Sequence, residues 1–356
     1  MTVAYAVNTQ ADFYSVDPVL ASVNPANLTQ LKSAKFKDHP NAIPQNVVLS
    51  HDGKFVILLA SEQTGSRVIA FSVNADGTLA ECPSSVTTAH MAMSIAVHPK
   101  RALVYVTECG TGSDQKTIYV YSCDTTGLTL SQTVQTTGVP ENIAIAPNGR
   151  TAYVTEFVST PQGLSAALVA YGNAKGTFGS QIGSYPLSTG NSGEIAIDSN
   201  GECLFVLTPN SAATGMTLLS FTISTDGTLT EVGNSGLTST PPLSSLIAVH
   251  PTASYLYLLT PPSSGNEVVE ITPFPYNSDT GIISDAGDGY TYGNQKTNPA
   301  AMAFSVAGDM LFVANSVGSE PNSTGNIKMI LVEETSGSLS LGSKISALVP
   351  MNVCAS

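Results

Sequence analysis

A phrase that recurs at a nearly constant interval constrains the fold of this chain more than any other feature. Its fullest copy, residues 140–156, reads PENIAIAPNGRTAYVTE. The copy predicts a short apolar strand, a tight turn on Pro147-Asn148-Gly149 and a second strand that ends on a carboxylate. Asn142 has equivalents 48 to 55 residues apart along the chain, which is typical of a repeat protein. These equivalents are Asn46, Ser94, Glu194, Leu246, Ala301 and, in a shortened copy, Asn352.

Each full repeat contains four strand candidates. The first is short and apolar, and the second is rich in aromatic and β-branched residues. The third follows a polar loop and ends in a hairpin such as Ala75-Asp76-Gly77-Thr78, after which a weaker fourth strand begins. Because Asp-Gly between apolar runs favours a hairpin, the four strands are expected to be antiparallel, which is typical of a propeller blade.

The repeats cover nearly the whole chain. Residues 44–348 hold six complete repeats, and residues 1–43 hold three more strand candidates, at Thr2–Asn8, Val19–Val23 and Thr29–Lys32. Residues 349–356 match the first strand of the repeat, which residues 1–43 lack. The sequence therefore predicts an all-β, seven-bladed β-propeller with four-stranded blades, in one domain spanning residues 1–356. Its ring would be closed by the C-terminal strand joining the N-terminal blade.

Composition excludes several classes of partner. With 42% hydrophobic residues, 11% charged residues and a net charge of −13, the chain is poorly suited to nucleic acid or to anionic membranes. Five cysteines without CxxC spacing predict buried thiols, and neither a metal site nor a cofactor is expected. A small molecule is the expected partner. The sequence leaves oligomeric state open, and it leaves localisation open between cytoplasmic and secreted with the leader absent.

The repeated strands, the Pro-x-Gly turns and the Asp-Gly-Thr-Leu hairpins resemble the seven-bladed lactonase-like propellers. That family includes propeller-type 6-phosphogluconolactonases and fungal carboxymuconate cyclases. The resemblance runs from Met1 to Ser356. It implies a site where the loops between second and third strands, and between successive blades, surround one end of the central channel. Glu194 matches a glutamate of the family at this end.

At other family positions the chain has different residues. The family's His-x-His pair is replaced by Met91 and Met93, with His90 one residue earlier, and its Arg-His pair is replaced by Glu141 and Asn142. The family's third pair, Asn-Glu, is replaced by Glu156-Phe157, so the carboxylate lies one residue earlier in this chain. Displacement by one residue would point this carboxylate to the other face of its strand.

Cationic groups are also scarce. Only three arginines are present, and two of them, Arg101 and Arg150, fall in turns at the opposite end of the channel. Because a dianionic substrate needs charge-assisted donors to replace its hydration, the sequence favours a small, largely neutral or apolar substrate.

The residues expected at the channel end form two groups. A carboxylate beside apolar methionines has a raised pKa, which suits a general acid or base near neutral pH. The catalytic candidates are Glu194, Glu141, His90, Glu156 and Glu108. The candidates for substrate binding are Met91, Met93, Asn142, Asn298 and a tyrosine pair expected in a loop as a lid or aromatic wall, Tyr290 and Tyr292.

Three functional hypotheses follow. The first is a lactonase-like enzyme that performs acid-base assisted cyclisation, ring opening or dehydration on a neutral cyclic molecule, in the manner of biosynthetic cyclases such as hetero-Diels-Alderases. The second is a sugar lactone hydrolase of the 6-phosphogluconolactonase type. The third is a non-catalytic, secreted or surface propeller that binds a partner across one face.

Overall fold

The structure is a computed structural model. It describes residues 4–8, 13–17, 29–30, 42–109, 116–160, 163–187, 193–210, 212, 214–232, 241–242, 244–263, 268–294, 297–317, 325–347 and 350–355. All regular elements in these ranges are β-strands, and no helix there could cross a membrane.

The described strands form six four-stranded antiparallel sheets and one five-stranded sheet, numbered here in chain order. Sheet 1 contains β1 (Ala4–Asn8), β2 (Phe13–Asp17), β3 (Thr29–Gln30) and β29 (Pro350–Ala355). Sheet 2 contains β4 (Ile43–Leu49), β5 (Phe55–Glu62), β6 (Gly65–Val73), β7 (Leu79–Glu81) and β8 (Val86–Thr87). Sheet 3 contains β9 (Met91–Val97), β10 (Leu103–Cys109), β11 (Lys116–Asp124) and β12 (Gly127–Gln135).

The remaining four sheets repeat the same order of strands. Sheet 4 contains β13 (Val139–Ile145), β14 (Thr151–Thr160), β15 (Gly163–Ala174) and β16 (Thr177–Pro186). Sheet 5 contains β17 (Glu194–Ile197), β18 (Cys203–Pro209), β19 (Met216–Ile223) and β20 (Leu229–Glu231). Sheet 6 contains β21 (Leu246–Val249), β22 (Tyr255–Thr260), β23 (Val269–Pro275) and β24 (Tyr290–Tyr292). Sheet 7 contains β25 (Thr297–Phe304), β26 (Met310–Val317), β27 (Gly325–Val332) and β28 (Leu339–Ala347).

The expected all-β propeller with four-stranded blades is confirmed for six sheets, whereas sheet 2 differs. Its outer edge carries two short strands, because β7 pairs with the end of β6 and β8 pairs with the start of β6. Pro83 lies between the two strands. A proline has no amide hydrogen to donate to a β-ladder, so the outermost strand is interrupted at this point.

The innermost strands form a closed ring. Strands β4, β9, β13, β17, β21, β25 and β29 contact one another in this order, and β29 also contacts β4. The C-terminal strand β29 pairs antiparallel with β1, as Ala4 opposite Ala355 and Val7 opposite Asn352 show. The predicted closure is thereby confirmed. The predicted third strand of this sheet is wrong, because the third strand is Phe13–Asp17, while Val19–Val23 lies outside the described residues.

The core lies between the sheets and repeats with them. One large buried side chain recurs at the middle of the second strand, opposite an alanine on the first strand in five of the sheets. These pairs are Tyr105 with Ala96, Tyr153 with Ala144, Phe205 with Ala196, Tyr257 with Ala248 and Phe312 with Ala303. A large residue opposite a small one packs against the neighbouring sheet, as Tyr105 and Ala96 do against sheet 4, and this packing favours one register of the first two strands.

Candidate functional site

The innermost strands carry β-bulges at the end of the channel where they begin, which is called the mouth here. In sheets 1, 2, 3, 4 and 7 an extra residue interrupts pairing just before the position equivalent to Asn142. Met93 is the extra residue in sheet 3, and Glu141 and Asn142 together face one partner residue in sheet 4. Because bulges redirect side chains and occur beside active sites, the mouth is the candidate functional site.

Glu194 begins β17 at the mouth. Its Oε2 accepts the Ile247 amide at 2.9 Å, so the side chain links the innermost strands of sheets 5 and 6. No other described residue hydrogen-bonds to this half-buried carboxylate. Burial raises the pKa of Glu194 to about 7, and the Ile247 amide lowers it only in part. A carboxyl group with this pKa can exchange a proton near neutral pH.

Asn142 occupies the equivalent place on β13 and makes the equivalent link. Its Nδ2 donates to the Gly193 carbonyl at 3.1 Å, directly before Glu194. Its own amide donates to Thr155 Oγ1 at 3.1 Å, which satisfies a backbone group left unpaired by the bulge. Asn142 therefore fixes the start of β17 and, through it, the backbone of Glu194.

Glu141 lies beside Asn142 and is half-buried. Its carbonyl accepts the hydroxyl of Thr107 at 2.6 Å, and the same hydroxyl accepts the Ser94 amide at 3.0 Å, so one threonine joins the bulges of sheets 3 and 4. Burial raises the pKa of Cys109, and the charge of Glu141 raises it further. The Glu141 carboxylate and the Cys109 thiol are thus close enough to influence each other.

Apolar surface at the mouth comes from two methionines of β9. Met91 is 50% exposed and Met93 is 43% exposed, whereas Ala92 between them is fully buried. Cys109 pairs with Met91 across the ladder. Exposed methionines adapt to the shape of an apolar ligand, so this part of the mouth suits a ligand of low polarity. His90 precedes them and is exposed.

Glu108 and Glu156 are both buried. Glu108 lies one residue before the end of β10, whereas β14 continues to Thr160, so the expected strand end at Glu156 is wrong. Glu108 accepts the His90 amide at 2.8 Å and the Tyr119 hydroxyl at 3.1 Å. Glu156 is completely buried. It accepts the Gly138 amide at 2.6 Å and the Tyr171 hydroxyl at 2.5 Å.

The two glutamates therefore hold the segments that join neighbouring sheets. Thr137 also donates to Glu156 at 2.8 Å, so both carboxylate oxygens are occupied. Burial raises the pKa of Glu156, while its three donors lower it. The carboxylate of Glu156 is displaced by one residue from the position of the family's glutamate. That this displacement turns Glu156 to the opposite face of the strand stays a prediction. In the structure, the Glu156 side chain has no solvent contact and lies between sheets 3 and 4.

A pair of substitutions tests this structural role. Glu156→Ala leaves the Gly138 amide and the Tyr171 hydroxyl buried without their acceptor, and we expect the free energy of unfolding to fall by roughly 3 kcal/mol. Glu156→Gln keeps an acceptor and should lower it by less than about 1 kcal/mol. Urea unfolding measures both changes, with Glu231→Ala on the exposed edge of sheet 5 as the control. A Glu156→Ala variant as stable as the control would contradict the role.

Two predicted binding residues lie elsewhere than expected, and a third, Asn298, lies at the mouth. The stretch that contains Tyr290 and Tyr292 was expected to be a loop, but these residues form β24, the outermost strand of sheet 6. Their rings pack against sheet 7, where Lys328 Nζ lies 4.5 Å from the centre of the Tyr292 ring. The Tyr292 hydroxyl donates to Asn315 at 2.9 Å. Asn298 is exposed in β25, beside the bulge of sheet 7.

The sequence reading missed the threonines that support the bulges and the thiol beside Glu141. Thr107 and Thr155 are completely buried, and both precede a glutamate in the sequence Tyr-Val-Thr-Glu. That repeated tetrapeptide was a usable signal. Cys109 carried no such signal, because its position beside Glu141 depends on how sheets 3 and 4 pack together.

Comparison with known proteins supports the fold. No protein-family model matches the chain, and no curated protein matches its sequence. Among solved structures, a candidate 6-phosphogluconolactonase from Bacteroides fragilis is 15% identical, with a TM-score of 0.71 over 100% of this chain and 98% of that chain. A second candidate 6-phosphogluconolactonase, from Bacteroides uniformis, is 16% identical, with a TM-score of 0.72 over 100% and 99% of the two chains.

The third similar structure is the periplasmic gluconolactonase PpgL of Pseudomonas aeruginosa. It is 12% identical, with a TM-score of 0.72 over 100% of this chain and 99% of that chain. At these identities the likeness establishes a propeller fold shared with lactonase-like proteins along the whole chain.

Proposed function

We propose that the protein is a lactonase-like hydrolase that opens a small, neutral cyclic ester at the mouth, with Glu194 as general base. The observation that carries this proposal is the half-buried Glu194 carboxylate, whose pKa is raised to about 7 and whose only bond to a described residue is the Ile247 amide. The lactonases that share the fold give the reaction class.

The chemistry needs one group that moves a proton in both directions. Ionised Glu194 takes a proton from a water molecule, whose oxygen attacks the ester carbonyl carbon. The ring C–O bond then breaks, and the departing ring oxygen receives the proton from the Glu194 carboxylic acid, which yields the open hydroxy acid. A pKa near the working pH suits both steps, since each form of the group is readily populated. Met91 and Met93 would contact the apolar side of the ring.

The distribution of cations argues for a neutral substrate. Arg67 is paired with Glu62 at 2.6 Å, and Lys116 donates to the Thr137 carbonyl at 3.0 Å. Arg101 and Arg150 lie in turns at the opposite end of the channel. A phosphorylated lactone would lose the hydration of a dianion without gaining arginine partners, so the 6-phosphogluconolactonase reaction is the weaker alternative.

Ring opening is preferred to ring closure because the similar structures named above are described as lactonases, not cyclases.

The test compares matched lactones. We expect wild-type protein to hydrolyse glucono-δ-lactone or δ-decalactone faster than the spontaneous rate in a pH-stat, and to act more weakly on 6-phosphoglucono-δ-lactone. The enzymatic rate should rise with pH through about 7, because the base must be ionised. Glu194→Gln should lower kcat by about 100-fold and remove that inflection.

Glu231→Gln, which changes an exposed carboxylate of the same sheet, is the matched control and should retain the wild-type rate. Faster hydrolysis of the phosphorylated lactone would contradict the neutral substrate. No hydrolysis of any lactone by folded protein would favour the non-catalytic propeller instead.

A further inference from the structure

A cleft at the end of the channel opposite the mouth concentrates positive charge. It has a volume of about 290 Å³. It lies among the turn between β9 and β10, the turn between β13 and β14, and the hairpin between β15 and β16. Its polar lining residues are His98, Lys100, Arg101, Asn148, Arg150 and Lys175.

The charge of this cleft is unusual for the chain. Four of the 13 lysines and arginines lie in its lining, including two of the three arginines, although the net charge is −13. Within the described ranges none of the four is in a salt bridge, whereas Lys54 pairs with Asp52 and Arg67 pairs with Glu62. Unpaired cations held together repel one another, so an anion bound between them would be stabilised.

His98 also lines the cleft, as a buried imidazole. It is 2% exposed, and its Nδ1 accepts the Lys100 amide at 3.0 Å. Burial lowers the pKa of His98, Arg101 lowers it further, and the Gly149 carbonyl acts in the opposite direction. The neutral ring must therefore carry its proton on Nε2.

That Nε2 makes no hydrogen bond of good geometry to a described residue, although the Gly149 carbonyl is close enough to raise the pKa of His98. The equivalent His250 differs, because its Nε2 lies 3.0 Å from the Gly308 carbonyl. Because the neutral His98 ring carries no charge, the positive charge of the cleft comes from its two arginines and two lysines.

The turns around the cleft depend on residues with positive φ. Gly149 has φ +74°, and a Cβ there would lie 2.5 Å from His98 Cε1, so only glycine fits beside the ring. Lys175 has φ 56° and Gly176 has φ 81°, a hairpin geometry in which asparagine or glycine is the usual choice at the first position. A lysine there places a cation at the rim despite the unfavourable backbone conformation.

We propose that this cleft is a binding site for a small phosphate monoester, held by Arg101, Arg150 and the two lysines. Guanidinium groups bind phosphate oxygens in pairs of hydrogen bonds, and a cleft of this volume suits a small molecule. The site is independent of the function proposed for the mouth, because the two lie at opposite ends of the channel.

The test is isothermal titration of the full chain with glycerol 3-phosphate at constant ionic strength, with glycerol as the uncharged probe. We expect one site for glycerol 3-phosphate and none for glycerol. Arg101→Gln and Arg150→Gln should each weaken binding by at least about 10-fold. Lys54→Gln, which removes an exposed cation from the turn between β4 and β5, should bind as wild type does.

The unliganded thermal midpoints of the variants show whether each has folded. The proposal is overturned if folded Arg101→Gln and Arg150→Gln bind as tightly as wild type. It is also overturned if titration with glycerol 3-phosphate gives no more heat of binding than titration with sodium chloride at the same ionic strength. Binding of heparin without binding of glycerol 3-phosphate would also overturn it, because that result indicates a surface for polyanions.

Discussion

A chain that lacks residues 349–356 is expected to lose its cooperative unfolding transition or to unfold at a midpoint lower by at least about 7 °C. Strand β29 is the innermost strand of sheet 1, and it also contacts β25, β26 and β4. Its removal exposes the edge of β1 and opens the ring between sheets 7 and 2. The expected cost is about 5 kcal/mol or more, which is comparable with the whole stability of a small domain.

Differential scanning calorimetry of the truncated and full-length chains measures this loss. Removal of Ser356 alone is the control, since β29 ends at Ala355. A synthetic peptide of residues 349–356 added to the truncated chain should raise its midpoint, and a scrambled peptide should not. A truncated chain with the wild-type midpoint would show that ring closure does not depend on this strand.

Glu194→Gln is expected to stabilise the protein above pH 7 and to have little effect at pH 4. The pKa of Glu194 is raised from 4.5 to about 7 in the folded protein. A folded-state pKa above the unfolded-state value means that protonation stabilises the fold. This contribution is complete below pH 4.5 and is lost as the pH rises through about 7. The difference corresponds to roughly 3 kcal/mol, and a neutral glutamine avoids the loss.

Thermal midpoints measured from pH 4 to pH 8.5 test this expectation. The midpoint of the variant should exceed that of wild type by roughly 4 °C at pH 8.5. Glu231→Gln, at an exposed carboxylate of the same sheet, should follow the wild-type curve at every pH. Parallel curves for Glu194→Gln and wild type would contradict the raised pKa, and the argument for a general base would fail with it.

Together with the lactone assay, this experiment separates two roles of Glu194. A carboxylate that only links β17 to β21 could be replaced by glutamine without loss of function, since glutamine can still accept the Ile247 amide. A carboxylate kept at a cost in stability and needed for turnover is the pattern of an active site. Gain of stability combined with loss of activity would therefore support the proposed function, whereas gain of stability alone would leave Glu194 structural.

The fold was predictable because its signals are local and repeated. The turn after Ala146 forms as expected, with the Gly149 amide donating to the Ala146 carbonyl at 2.7 Å. The positions equivalent to Asn142 all lie in innermost strands, as their common place in the phrase predicted. Local signals failed where turn residues surround a short strand, because Asp and Gly before Tyr290 indicated a loop rather than β24.

The candidate site was only partly predictable. Sequence equivalence placed Glu194 and Asn142 at the mouth, and the structure shows the links that each makes to the next innermost strand. Comparison of the repeats could not show that both carboxylate oxygens of Glu156 accept hydrogen bonds, since the donors come from Tyr171 and from the segment that leaves sheet 3. Hydrogen bonds between sheets depend on how the sheets pack.

The sequence by itself determined the repeat, the antiparallel strands, the turns and the closure by the last strand, because each depends on residues close together in the chain or on the repeat itself. Only the tertiary structure decided which polar groups are buried, which are partnered and which cations come together. Arg101 and Arg150 are 49 residues apart and belong to neighbouring repeats, yet the packing of sheet 3 against sheet 4 brings them to one cleft. The environment of a charge is set by all the chain segments around it, and no single stretch of sequence contains them.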